Sequence, residues 1–115
     1  MSPVDIERRL EELFAMADMS ETADGPVKNY SFGMKRKLSI IEALCHDPAL
    51  LVLDEPTTGA DVQFLVRLTG IIKQRIKRGQ ITWITGNDPN WIEGIATKAA
   101  LMDSDKFLAV GSVDL

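Results

Sequence analysis

The stretch LLVLDEPTTGAD, residues 50–61, sets two acids, Asp54 and Glu55, directly behind four apolar residues. Open α/β sheets bind ligands at the carboxyl ends of their strands, so a strand ending in paired carboxylates delivers them where a ligand would sit. One carboxylate there can hold the Mg²⁺ ion that accompanies nucleotide phosphates, commonly through water. The other can orient an attacking water or accept its proton. A parallel strand that merely happens to end in acids is the plain alternative. The continuation through Pro56, Thr57, Gly59 and Asp61 argues against it.

A second chemical signal is YSFGMKRKL, residues 30–38. Ser31 is a good N-cap, and Gly33 lets another backbone approach the start of a helix closely. Free N–H groups there, aided by the helix dipole, suit an anion. Taken alone, the segment reads first as a plain capped helix with a solvated basic face at Lys35, Arg36 and Lys37.

The elements that position these groups follow from periodicity. Ile6, Leu10, Leu13, Phe14 and Ala17 predict an amphipathic helix over 5–17, with Pro3 at its start. Residues 18–29, DMSETADGPVKN, read as a linker. A second helix is expected from Met34 to Cys45, with Leu38, Ile41 and Leu44 inward and Asp47-Pro48 as its stop. Residues 49–53, ALLVL, show no alternation and predict a strand buried on both faces.

A third helix over 62–78 is expected to bury Val62, Leu65, Leu68, Ile72 and Ile76 and to end at Gly79. Its basic residues Lys73, Arg75, Lys77 and Arg78 then form a solvated face. ITWIT, 81–85, predicts a second strand, Asp88-Pro89 opens a short helix, and AALM (99–102) and FLAV (107–110) flank a hairpin turn at DSDK. Trp83 and Trp91 read as packing or surface anchors, and His46 as a solvent-facing residue at a helix end.

Composition bounds the partners. A chain of 115 residues suits one small domain, and 45% apolar with 26% charged residues is ordinary for a globular protein. A net charge of −4 argues against nucleic acid, whose phosphates select basic surfaces. No apolar run approaches the roughly 18 residues of a membrane span. The N-terminal MSPVDIERRLEEL is charged and is no secretory signal. A single cysteine, Cys45, excludes an internal disulfide and fits a reducing, cytoplasmic compartment.

YSFGMKRKL, followed roughly a dozen residues later by LLVLDEPTTGAD, closely resembles the signature and Walker B–D-loop pairing of ATP-binding cassettes in ABC transporters. The resemblance runs from about residue 5 to 115 and includes the tail ALMDSDKFLAVGSVDL. The form YSxGMK is most similar to cassettes of type-2 exporters. The resemblance implies the C-terminal portion of a cassette, an α/β fold of the P-loop NTPase type. Residues 1–47 would belong to the helical subdomain and 48–115 to the C-terminal half of the ATPase core.

It also implies ATP and Mg²⁺ as cofactors, a second cassette in a head-to-tail dimer, and a membrane permease that would hold the subunit at the cytoplasmic face. Ser31 and Gly33, in a loop shared with Phe32 and Met34, would contact the γ-phosphate of ATP held by the opposite cassette. Asp54 would bind Mg²⁺, Glu55 would be the catalytic base, and Asp61 would communicate across the dimer. Phe32, Met34, Ala60 and Tyr30 depart from the commonest residues at their positions.

Two departures are larger. No GxxxxGK[ST] occurs in the chain, and the glutamine loop has no counterpart. The expectation is therefore that the chain alone is inactive. The switch histidine, counted without gaps from the tail, falls at Asn87, which offers a hydrogen bond but no proton. The leading expectation is an ATPase that drives export. The alternatives are a non-catalytic module lending its signature to a partner's site, and a chromosome-maintenance or DNA-repair ATPase head.

Overall fold

The computed structural model describes residues 2–22 and 25–113. Among the described residues, four α-helices and four strands follow one another as α1 (Pro3–Met16), α2 (Phe32–Leu44), β1 (Leu50–Asp54), α3 (Val62–Lys77), β2 (Ile81–Thr85), α4 (Pro89–Ile95), β3 (Lys98–Asp103) and β4 (Lys106–Ser112). β1 and β2 are parallel neighbours joined through α3, with Leu50 opposite Ile81 and Asp54 opposite Thr85. β3 and β4 form a separate antiparallel hairpin that turns between Asp103 and Lys106. This is an α/β fold with two helices ahead of a strand–helix–strand unit.

Every helix opens on a side-chain cap. Ser2, Ser31, Asp61 and Asp88 each accept the backbone N–H three residues ahead, satisfying donors that have no partner inside the helix. α3 closes as expected at Gly79, where φ is +76°. The amide of Gly79 donates to the Ile76 carbonyl at 3.0 Å and that of Gln80 to the Arg75 carbonyl at 2.9 Å, the paired bonds of a left-handed helix stop.

One core gathers all the helices. Leu13, Ala17, Ile40, Ile41, Leu44, Leu51, Leu53, Phe64, Leu68, Ile72 and Ile95 are buried together. The α1 stripe lies as its spacing predicts, with Leu13 and Ala17 buried and Leu10 and Phe14 packed against them.

Four expectations change. The stretch 18–29 is no plain linker: it carries 3₁₀ turns at Ser20–Thr22 and Val27–Asn29, and Met19 is buried; Ala23 and Asp24 lie outside the described residues. α2 starts two residues before Met34, because Ser31 caps it at Phe32. β1 spans 50–54 and alternates: Leu51 and Leu53 are buried, whereas Leu50 and Val52 are 55% and 58% exposed. Helices cover one face of the sheet, and among the described residues nothing covers the other, where Ile81 and Trp83 also stand exposed.

The fourth correction concerns α3. Its buried stripe is Phe64, Leu68, Ile72 and Arg75, while Val62 and Ile76 are exposed. Arg75 is therefore not part of a solvated basic face. Its Nε donates to Thr82 Oγ1 at 3.1 Å and its Nη2 to the Ile81 carbonyl at 3.0 Å, with Asp47 Oδ1 3.7 Å from Nη1. Burial presses the guanidinium pKa below its ordinary value, against the opposing pull of Asp47. Two hydrogen bonds and a nearby carboxylate make a charge tolerable at a position that apolar periodicity assigns to its neighbour.

Candidate functional site

The edge formed by the ends of β1 and β2 and the start of α2 collects the expected chemistry. β1 and β2 are both five residues long and paired end to end, so Asp54 and Thr85 leave the sheet side by side. Thr85 Oγ1 donates to Asp54 Oδ1 at 2.5 Å. That bond orients one carboxylate oxygen, and Asp54 itself is exposed.

Glu55 follows in the left-handed region, φ +51°. For a residue with a Cβ this conformation costs on the order of 1 kcal/mol and persists only when its surroundings enforce it. Its amide donates to the Thr85 carbonyl at 2.8 Å, and its own carbonyl accepts the Thr58 amide at 3.1 Å. The result turns the side chain back toward the chain after β2. Glu55 Oε2 is buried without a hydrogen-bond partner among the described residues. A methyl group placed on Gly86 would stand 4.0 Å from it.

The segment that resembles the signature meets the loop after β1 directly. Ser31 Oγ accepts the Met34 amide at 3.1 Å, as a helix cap should. A methyl on Gly33 would lie 3.6 Å from the Gly59 carbonyl, so the two glycine backbones face each other. Gly59 has φ +71°, and a Cβ there would come within 3.3 Å of the Phe32 ring. The positive φ favours glycine at that turn, and a larger residue would also have to push the Phe32 ring aside. The Phe32 side chain is otherwise 67% exposed, whereas Met34 packs against the core.

Asp61 serves locally as the cap of α3, accepting the Phe64 amide at 2.8 Å. Its other oxygen lies 2.9 Å from Lys37 Nζ. The Phe64 N–H and then the Lys37 ammonium hold its carboxyl below the usual carboxylate range. Asn87 is exposed, in the bend between β2 and α4, two residues beyond Thr85. The site edge thus brings Asp54, Glu55 and Thr85 together, with Asn87 two residues further along the chain, while Ser31, Phe32, Gly33 and Asp61 lie around the Gly59 turn.

Several contributors were not singled out by sequence reasoning. Of the three basic residues after the signature-like loop, Lys35 is exposed, whereas Arg36 and Lys37 are partly buried. One terminal nitrogen of Arg36 donates to the carbonyls of Asp54, at 3.1 Å, and of Glu55. Lys37 donates to the Ala17 carbonyl at 3.2 Å and sits 5.4 Å from the centre of the Phe64 ring. Their positions, one helical turn beyond the Ser31 cap, are the signal that could have found them. Trp91 is a packing residue as expected, with its indole N–H on Thr69 Oγ1 at 3.0 Å, and His46 is exposed.

Comparison with known proteins bears on this geometry. A family model described as ABC transporter matches residues 4–58. The linearmycin resistance ATP-binding protein LnrL of Bacillus subtilis is 29% identical over 94% of the chain and 35% of its own length. Nod factor export ATP-binding protein I of Cupriavidus metallidurans is 31% identical over 96% of the chain and 37% of its own length. ATP-binding cassette sub-family A member 2 of Rattus norvegicus is 36% identical over 84% of the chain and 4% of its own length.

The chain thus spans little more than a third of the two bacterial relatives. A solved structure titled "Structure of ATP binding subunit of ABC transporter" superposes with a TM-score of 0.91, at 23% identity, over 99% of this chain and 48% of the other. With the signature-like loop meeting the turn that follows the acids of β1, the chain is similar over nearly its whole length to part of the ATP-binding cassettes of ABC transporters.

Proposed function

We propose that the chain forms the signature and Walker B part of an ATPase subunit that drives export through a membrane permease. The observation that carries this reading is Glu55: a strained backbone, a buried carboxylate oxygen without a donor, and a place beside Asp54 at the end of a parallel strand. A buried acceptor left unpaired costs on the order of 1–3 kcal/mol. A water molecule supplied with the substrate would satisfy it. Glu55 would then orient that water and take up its proton as it attacks the γ-phosphate.

Asp54 suits a magnesium ion of the kind that binds through one carboxylate, waters and phosphate oxygens. One of its oxygens is fixed by Thr85, and the side chain is open to solvent. No group of three acidic, histidine or cysteine side chains able to hold a metal occurs among the described residues. The ion would supply neutralisation of phosphate charge.

Ser31, Phe32, Gly33 and Met34 would face the nucleotide of a second cassette, with Asp61 at the same interface. Residues 1–47 would belong to the helical subdomain and 48–115 to the ATPase core. The relative named for Nod factor export supports export as the direction of transport. A cytoplasmic subunit held by its permease follows from that reading. No described helix is long and apolar enough to cross a membrane.

Asn87 favours a second reading, in which the cassette hydrolyses little and mainly lends its signature to a partner's site. The three relatives above are named for linearmycin resistance, Nod factor export and an ATP-binding cassette sub-family, which favours the transport reading over the chromosome-maintenance alternative. The test is Glu55→Gln in a complete cassette carrying these residues. Hydrolysis should fall about 10²–10⁴-fold, the usual contribution of a general base, with ATP binding retained. Unchanged turnover would remove Glu55 from the role.

A further inference from the structure

Arg36 joins two parts of the site that would serve different nucleotides. It lies on α2, five residues beyond the Ser31 cap, and its guanidinium reaches across to the end of β1. A single terminal nitrogen donates to two successive carbonyls, those of Asp54 and Glu55. These are the peptide units on which the backbone turns into the left-handed conformation of Glu55.

We infer that Arg36 is a positioning residue for Glu55: from the signature helix it holds the turn that presents the carboxylate. The inference rests on the reading of Glu55 as the base. Three contacts fix the Glu55 peptide: its amide on the Thr85 carbonyl, and its carbonyl under both the Thr58 amide and Arg36. The first two come from the turn itself and from the neighbouring strand. Among these three, Arg36 alone comes from outside the sheet and its turn, and it carries a full charge, which makes its hydrogen bonds to carbonyls stronger than neutral ones. Its Nε is buried without a hydrogen-bond partner among the described residues, so the side chain is committed to these carbonyls through its terminal nitrogen.

A shift of α2, whose first turn would touch the partner's nucleotide, would therefore move the Glu55 peptide. The side chain itself touches no reacting atom. Its loss should alter the rate of the chemical step and leave nucleotide affinity alone.

The experiment compares wild type, Arg36→Met, Arg36→Lys, Glu55→Gln and the Arg36→Met/Glu55→Gln double variant of a complete cassette with its permease. Steady-state and single-turnover ATPase rates and ATP affinity are measured for each. Arg36→Met should lower kcat about tenfold or more, with KM within about twofold of wild type. Arg36→Lys, which keeps the charge but not the reach and plane of the guanidinium, should recover part of the loss, to about threefold below wild type.

In the Glu55→Gln background Arg36→Met should cost nothing further, because the group it positions is gone. An unchanged kcat in Arg36→Met would overturn the inference, as would an equal loss with and without Glu55. If Arg36→Met does not fold, Arg36→Lys decides: wild-type kcat in that variant overturns the inference. Should Glu55→Gln itself turn over normally, the assignment of the base fails and the inference falls with it; failure at Arg36 alone leaves that assignment intact.

Discussion

Lys37 Nζ lies 2.9 Å from Asp61 Oδ2, so the sixth residue after the cap of α2 is paired with the cap of α3. The contact ties the helix that begins with the signature-like loop to the loop that follows the acids. Lys37 is well shielded, with 17% of its side chain exposed, and its ammonium also reaches the Ala17 carbonyl and the Phe64 ring. Asp61 is 58% exposed, so its charge is strongly screened and the ion pair contributes at most about 1 kcal/mol.

The larger share of what Asp61 does should come from capping. Asp61→Ala is expected to destabilise the cassette by about 1 kcal/mol at neutral pH. The carboxyl pKa is lowered in the folded state, first by the Phe64 amide and then by Lys37. Its charge-dependent stabilisation is therefore complete above the unfolded value, near 3.9, and is lost as pH falls through the lower folded value. Urea unfolding of both proteins should show the gap narrowing below about pH 4. A gap that held steady to the lowest pH at which both fold would count against any role for the charge.

The chain alone should not bind Mg-ATP appreciably. The backbone cradle and lysine of a phosphate-binding loop supply most of the grip on nucleotide phosphates, and no such motif occurs in the chain. Titration calorimetry of the 115-residue chain should show no saturable heat up to roughly millimolar nucleotide, the upper end of ordinary substrate affinities. A micromolar dissociation constant would overturn this expectation.

The elements were largely legible because each obeys a local rule. Ser31, Asp61 and Asp88 cap helices, Gly79 ends one, and the apolar spacing of α1 matches its buried stripe. Reading fails where a neighbour overrides periodicity. Arg75 is buried because Thr82 and Ile81 offer it acceptors from β2, a contact no single-helix pattern contains. β1 reads as doubly buried because Leu50 and Val52 are as apolar as Leu51 and Leu53, yet only the latter pair is covered within the described chain. At the site, Asp54 and Glu55 were visible as a strand ending in acids. Arg36 and Thr85 were not, since their partners are 18 or more residues away.

Arg75→Met should be costly despite the similar length of the side chain. It removes two hydrogen bonds from a charged donor and leaves the Ile81 carbonyl and Thr82 hydroxyl without their partner. Bonds of this kind contribute about 1.5–3 kcal/mol each in mutational series, and an apolar side chain in the same space returns part of that. A net loss of about 1–3 kcal/mol is expected in urea unfolding of the cassette. A variant as stable as wild type would mean that Arg75 serves packing alone.

Asn87 carries the sharpest prediction about turnover. It follows β2 by two residues, beyond the edge where Thr85 meets Asp54, and in the proposed site its side chain would face a γ-phosphate. An amide can donate a hydrogen bond to phosphate but holds no ionisable proton near neutral pH. Imidazole can bridge phosphate and attacking water with a proton available. If Asn87 occupies the switch position, the cassette should hydrolyse slowly and Asn87→His should raise kcat by roughly one to two orders of magnitude. The gain should vanish in a Glu55→Gln background, where no base remains for the histidine to assist. Steady-state rates of the complete cassette with its permease decide the matter. A parent that already turns over several times per second, near the usual median for enzymes, with no gain from histidine would rule out a degenerate site. Asp88 would not be a ready substitute, since its carboxylate already accepts the Trp91 amide at 3.2 Å as the cap of α4.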